Sequence, residues 1–173
     1  MKSYSYLYSD YGQIDIGSYS SLHGQSQPYQ SLYSVYAKMV KLDIKIGVYK
    51  PDKGGYTLNP TAEKLDDRFD GKLIRPSRGD LIFTYVIDKD GDVIIGKRNG
   101  NGRRSTGALP TPHPTLVGGL NPKVRMAGIL HIKDGKIVSY DNQSGHYRPN
   151  IKSMKIADEA FKKYPMWPKN KEK

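Results

Sequence analysis

Two histidines carry most of the chemistry this sequence can offer. His113 stands between Pro112 and Pro114 and is followed by Gly118-Gly119. Flanking prolines hold the backbone extended and stiff, so an imidazole there is presented at low entropic cost. His146 lies in the string Ser144-Gly145-His146-Tyr147-Arg148-Pro149. That string offers a hydroxyl, an imidazole, a phenol and a guanidinium within five residues, with Gly145 permitting close approach or positive φ. Histidine transfers protons near neutral pH. Arg148 can fork onto a phosphate, and Tyr147 can stack on a base or orient a ligand. Each site has a plainer alternative. His113 can be a loop histidine bonded to backbone or solvent, and 144–149 a packed turn with Tyr147 plugging the core and Arg148 structural.

Cations surround the candidates. Arg103, Arg104, Ser105 and Thr106 form a basic, hydroxylated loop tip, with Lys97, Arg98, Lys123 and Arg125 bracketing the same loop. Together they suit a phosphate-binding rim, or else a solvated charge cluster. The amides that open the helix expected after Pro149 favour an anion nearby. Two histidines with Arg and Lys beside them match metal-independent phosphodiester cleavage: one base, one acid, and cations on the phosphate. The four histidines are too far apart in sequence to suggest a metal cluster, and none of the familiar metal, P-loop, dinucleotide or serine-elbow motifs occurs. His131, in mid-strand, reads as a satisfied or half-buried histidine, and His23 has no role.

The elements that must position these groups can be read from pattern. Residues 81–98 are two β-rich runs split by Asp90-Gly91, and 125–141 repeat that plan around Asp134-Gly135; both are hairpin signals. A two-residue turn in the first sets Ile87 opposite Ile94 and Tyr85 opposite Gly96. In the second, His131 faces Val138 and Ile129 faces Tyr140, while Leu130, Ile132 and Ile137 share the other side. Residues 99–124 hold five glycines and four prolines, so they form a long loop of the kind that carries function or is disordered. Ile151, Met154, Ala157, Phe161 and Tyr164 give the clearest helical stripe, capped by Asn150. Trp167 can fold back onto the core.

The first part of the chain is less regular. Eight of fourteen tyrosines fall within residues 1–37, among Ser, Gly and Gln, and Tyr4, Tyr6 and Tyr8 alternate like a short strand. Residues 31–41 suit a short helix, and the alternation of Leu42, Ile44 and Ile46 suits a strand over 42–50. Pro51 to Gly55 is a turn, and 61–65 can begin a short helix after Pro60. The expected fold is α+β: a small antiparallel sheet built from β-hairpins with a few packed helices. A Tyr/Ser/Gly-rich region over 1–70, either a connecting arm or part of the same domain, precedes a basic core domain over 71–173.

Bulk properties narrow the partners without choosing one. The 173 residues carry a formal charge of +11, and residues 88–173 hold seventeen Lys and Arg against eight Asp and Glu. Such a field attracts RNA or another polyanion, or an acidic protein. With no cysteine, disulfides, thiolate nucleophiles and Cys-bound metals are ruled out. No apolar signal segment and no membrane span are visible.

The segments 113–119, Ala127-Gly128, Gly135-Lys136-Ile137 and Asn142-Gln143-Ser144-Gly145-His146-Tyr147-Arg148-Pro149 resemble the C-terminal toxin or effector modules of bacterial polymorphic toxins and related secreted effectors. The likeness spans roughly 81–165. Where those modules open a strand with Ala-Gly-Glu, this chain has Ala127-Gly128-Ile129. The resemblance implies either a metal-independent endoribonuclease or an ADP-ribosyltransferase. The expectation is a toxin-like enzyme with His113 and His146 as its acid–base pair, Tyr147 beside them, and Arg148, Ser144 and the cations above on substrate. It would need no cofactor. It would be secreted or delivered into a target-cell cytoplasm, with a cognate inhibitor protein as a partner the resemblance implies. The transferase would instead use NAD, Arg75 or Arg78, Tyr147 and a glutamate, of which there are only Glu63, Glu159 and Glu172. A third possibility is a basic protein that binds an acidic partner without catalysis.

Overall fold

The computed structural model describes residues 26–98 and 111–168, with a short ribbon of β1 (Tyr8–Ser9) and β2 (Gly12–Gln13) nearer the start. Helix α1 is Ala37–Lys45. A small ribbon of β3 (Tyr49–Lys50) and β4 (Gly55–Tyr56) follows. The main sheet contains β5 (Glu63–Lys64), β6 (Asp80–Asp88), β7 (Val93–Lys97), β8 (Val124–Lys133) and β9 (Lys136–Tyr140). Helix α2 is Met154–Phe161. The five strands are antiparallel in the order β5-β7-β6-β8-β9. The fold is α+β, with two hairpins supplying four of the five strands.

Both hairpins form, each with a register one residue away from the simplest reading. In the first, Ile87 pairs with Val93 and Tyr85 with Ile95. The connection is Lys89-Asp90-Gly91, a three-residue loop with Gly91 at φ 90°. Asp88 closes it, its Oδ1 accepting from the amides of Asp90 and Asp92 at 3.0 and 2.9 Å. The second hairpin does turn on Asp134-Gly135, at φ 50° and 81°, as a two-residue turn of mirror-image type requires. A bulge then leaves Val138 unpaired, so His131 faces Ser139 and Leu130 faces Tyr140. One extra residue reverses the faces beyond it. That is why Tyr140 turns inward, its ring 4.6 Å from that of Phe161.

The sheet is covered on both faces. Helix α2 lies against Phe83, Tyr85, Ile87, Leu130 and Ile132, burying Ala157, Phe161 and Tyr164. Asn150 caps the preceding turn, accepting from the amide of Lys152 at 3.0 Å. Ile151, placed on the apolar stripe by its spacing, is instead exposed, because residues 151–153 form a tighter 3-10 turn that rotates it outward. Trp167 returns to the sheet edge, its indole donating to Lys133 O at 2.9 Å. On the opposite face Val86, Val124 and Ala127 meet Tyr33, Leu116 and Tyr147, which arrive on irregular segments. Thus the segments bearing His113 and His146 are part of one sheet covering.

The early residues join this body. Tyr33 bridges Val124, and Glu63 and Lys64 pair with Ile95 and Ile94. The alternation over 42–50 does not yield a strand there: 42–45 complete α1, and only Tyr49–Lys50 is extended. Wound into a helix, a period of two scatters Leu42, Ile44 and Ile46 onto exposed positions, while Met39 and Asp43, four apart, face inward. Residues 61–65 likewise give the short strand β5 rather than a helix. No helix among the described residues is long and apolar enough to cross a membrane.

Asp70 provides a pH-dependent clasp on the connection into β6. The amides of Leu73 and Lys72 and the Arg75 guanidinium lower its pKa from 3.8 to about 2. A depressed carboxyl adds stability above its unfolded pKa and loses it as pH falls through the folded one. Asp70→Asn is therefore expected to flatten the fall in thermal midpoint between about pH 4 and pH 2. A profile parallel to wild type would contradict the clasp.

Candidate functional site

The segment after the long loop is fixed at its start and its end. The Thr111 amide donates to Arg98 O at 2.8 Å, and its hydroxyl also donates to Lys97 O. Pro112 is extended, and residues 113–116 make one 3-10 turn in which the Thr115 hydroxyl donates to Pro112 O at 2.7 Å. Gly118 and Gly119 both have positive φ. They let Gly119 exchange two backbone hydrogen bonds with Tyr56, at 2.9 and 3.0 Å.

His113 is fully buried, with Nε2 2.8 Å from Gly128 O. A carbonyl only accepts, so Nε2 carries the proton in this bond. Gly128 is held from a second side. A Cβ there would lie 2.6 Å from the Asp141 carbonyl carbon and closer still to its oxygen. Asp141 itself is partly exposed. Its Oδ1 accepts from the amides of Ile129 at 2.8 Å and Gln143 at 3.0 Å. Burial raises its pKa, opposed by those two amides and by the charges of His113 and Arg98.

The 144–149 turn is built around its own hydroxyl and carbonyls. Ser144 Oγ accepts from the Tyr147 amide at 3.1 Å, and Ser144 O from the Arg148 amide at 2.8 Å. Tyr147 is fully buried and its hydroxyl donates to Pro122 O at 2.7 Å. Arg148 adopts φ 47°, unusual for a residue with a side chain. Its Nε donates to Gly145 O at 3.2 Å, and its guanidinium stacks 3.4 Å from the centroid of Tyr36. Gln27 straps the turn from outside. Its amide donates to Arg148 O at 2.8 Å and its side chain to Tyr147 O at 2.6 Å.

His146 has a partner the sequence did not single out. Its Nε2 lies 2.7 Å from Asp43 Oδ2, both side chains being fully buried. The Tyr56 hydroxyl donates to the same oxygen at 2.6 Å. Burial and the Asp43 carboxylate push the Tyr56 pKa far up, so Tyr56 stays a neutral donor. Asp43 Oδ1 is buried without a hydrogen-bond partner among the described residues. The only trace in the sequence is an acidic residue four after Met39, pointing inward with it. Its three-dimensional partner lies 103 residues away.

The structure thus gathers some candidates and separates others. The His113 and His146 segments meet in one apolar cluster through Leu116 and Tyr147. Their imidazoles are closed to solvent and bond different partners. Ser144 and Arg148 are also buried. Lys97 lies opposite Phe83, while Arg125 follows Val124, the partner of Asp88. Those rungs are five residues apart on β6, roughly 17 Å, so Lys97 and Arg98 stand towards one end of the strand and Lys123 and Arg125 towards the other. Arg103, Arg104, Ser105 and Thr106 lie outside the described residues. His131 is half-buried and bonds Asp80. Among the described residues no three His, Asp or Glu side chains gather as a metal site.

Comparisons with family models, with curated proteins and with solved structures find no match for this chain.

Proposed function

We propose that the protein is a toxin-like, metal-independent endoribonuclease, with histidine acid–base chemistry acting on RNA phosphodiesters. The observation that carries this reading is the Asp43–His146 pair, with Arg148 two residues further along the same turn. A carboxylate fixes the tautomer and orientation of an imidazole, the arrangement acid–base catalysis uses. His113, on the same sheet face, supplies the second imidazole. Both rings are closed to solvent, so the reading requires the 113–116 and 144–149 segments to open before RNA meets them. The reading includes action inside a target cell and opposition by a cognate inhibitor.

A second reading is favoured by that same burial: the histidines hold the fold, and the basic surface binds an acidic partner or polyanion without cleaving it. Incubation with total RNA separates the two. Cleavage into discrete fragments that persists with a chelator supports the nuclease. RNA left intact at high protein concentration sinks it. Binding alone supports the second reading. In either case Lys97→Ala is expected to weaken single-stranded RNA binding. It should reduce the slope of log affinity against log salt by about 0.7 if one phosphate contact is lost. An unchanged slope measured by fluorescence anisotropy would remove Lys97 from the contact surface.

A further inference from the structure

We infer that the outward side of helix α1, with the ribbon that follows it, is a docking surface for a membrane rich in anionic lipid. It lies on a surface separate from the candidate histidines and does not depend on the ribonuclease reading.

Helix α1 turns only a narrow side to the body of the protein. Met39 and Asp43, one turn apart, are buried, and the Asp43 carboxylate is held there by Tyr56 and His146. That anchor fixes which side of the helix faces out. At about 100° per residue, Lys41, Lys45, Lys38, Leu42 and Ile46 follow one another around the outward side, and all five are exposed. Leu42 is 39% exposed and Ile46 45%.

The charge on this stretch is unopposed. Residues 37–60 contain five lysines, no arginine and one exposed acidic residue, Asp52. Lys64, Lys162 and Lys163 each pair with a carboxylate. Lys38, Lys41, Lys45, Lys50 and Lys53 have no such partner among the described residues. The neighbouring ribbon extends the apolar part. Tyr56 joins α1 to β4 through Asp43 and exchanges two backbone hydrogen bonds with Gly119. The Tyr49 hydroxyl donates to Leu120 O at 2.9 Å. On these two segments Leu58 and Leu120 are 55% and 60% exposed.

Residue type selects the partner. Single-stranded RNA is gripped by stacking on aromatic rings and by arginine. Of the two tyrosines here, Tyr56 is buried and Tyr49 packs edge-on against it. Protein interfaces are enriched in arginine and aromatics and depleted in lysine. An anionic bilayer needs neither. Ammonium groups hold the lipid phosphates and carboxylates. The lysine stems and the aliphatic side chains reach the boundary of the acyl chains.

The test sediments the full chain with vesicles of phosphatidylcholine, alone or mixed with phosphatidylserine. Wild type should bind the mixed vesicles, leave the neutral ones alone and be released by high salt. Lys38→Ala, Lys41→Ala and Lys45→Ala should each weaken binding about fivefold, and all three together about a hundredfold. The thermal midpoint should not move, because these side chains are exposed and unpaired. Lys89→Ala, Lys133→Ala and Lys152→Ala together remove the same charge elsewhere and should cost less than about fivefold. Leu42→Ser with Ile46→Ser should weaken binding about tenfold and leave its salt dependence unchanged. Wild type left in the supernatant with mixed vesicles would overturn the inference. Equal losses in the two lysine triples would also overturn it, since bulk charge would then suffice. Binding of single-stranded RNA that is lost in the α1 triple, with no binding to vesicles, would assign the face to nucleic acid instead. None of these outcomes decides whether the protein cleaves RNA, which the incubation with total RNA tests separately.

Discussion

Replacing His146 with alanine is expected to cost about 3–5 kcal/mol of stability, because it strips a buried carboxylate of one of its partners. Asp43 has no exposure to water. Without the imidazole, its Oδ2 keeps only the Tyr56 hydroxyl, and Oδ1 already lacks a partner among the described residues. The cavity left by the ring adds to the loss. Urea unfolding should show the midpoint falling with little change in slope. Replacing both Asp43 and His146 with leucine should cost clearly less than His146→Ala alone, because no orphaned charge remains. If His146→Ala unfolds at the wild-type midpoint, the pair is not the structural tie described above. The result also governs how activity is interpreted: loss of RNA cleavage in His146→Ala follows from unfolding alone. His146→Gln, with its fold verified, is the sounder probe of proton transfer.

Gly128→Ala is expected to be nearly as damaging, at about 3 kcal/mol, the upper end of ordinary overpacking. The added methyl would lie 2.6 Å from the Asp141 carbonyl carbon, and backbone cannot move aside as a flexible side chain does. The displacement would disturb the His113 bond to Gly128 O and the Ile129 amide's bond to Asp141 together. Gly91→Ala is the natural comparison. Gly91 has φ 90° with nothing near its missing Cβ, so its cost is conformational, about 1 kcal/mol. Thermal unfolding that ranks Gly91→Ala as the more damaging would contradict the close approach of Asp141 to β8.

The parts of the fold that were legible are those set by local rules. Asp134-Gly135 fixes a turn because both residues must take positive φ, and Asn150 caps because its side chain reaches an amide two residues on. The spacing of Ala157 and Phe161, continued by Tyr164 in the turn that follows, marks the buried side of α2 because a helix returns to one face every three or four residues. Register was less legible. Asp88 accepts two amides and lengthens the first turn, and Val138 bulges; either event shifts a strand by one residue without altering the pattern of residue types.

The site divides along the same line. Sequence alone marked His113, His146, Tyr147 and Arg148, since their types and their proline and glycine neighbours are local properties. It also placed the excess positive charge in the second half. Only the tertiary structure decided what those residues touch. Asp43 reaches His146 across 103 residues, from a helix over residues whose alternation suggests a strand. Asp141 packs against the vacant side of Gly128, whose carbonyl holds His113. The physical reason is range. A turn, a cap or a helical stripe is settled within about four residues. The environment of a buried imidazole is set by whichever distant segments the sheet brings onto the same face.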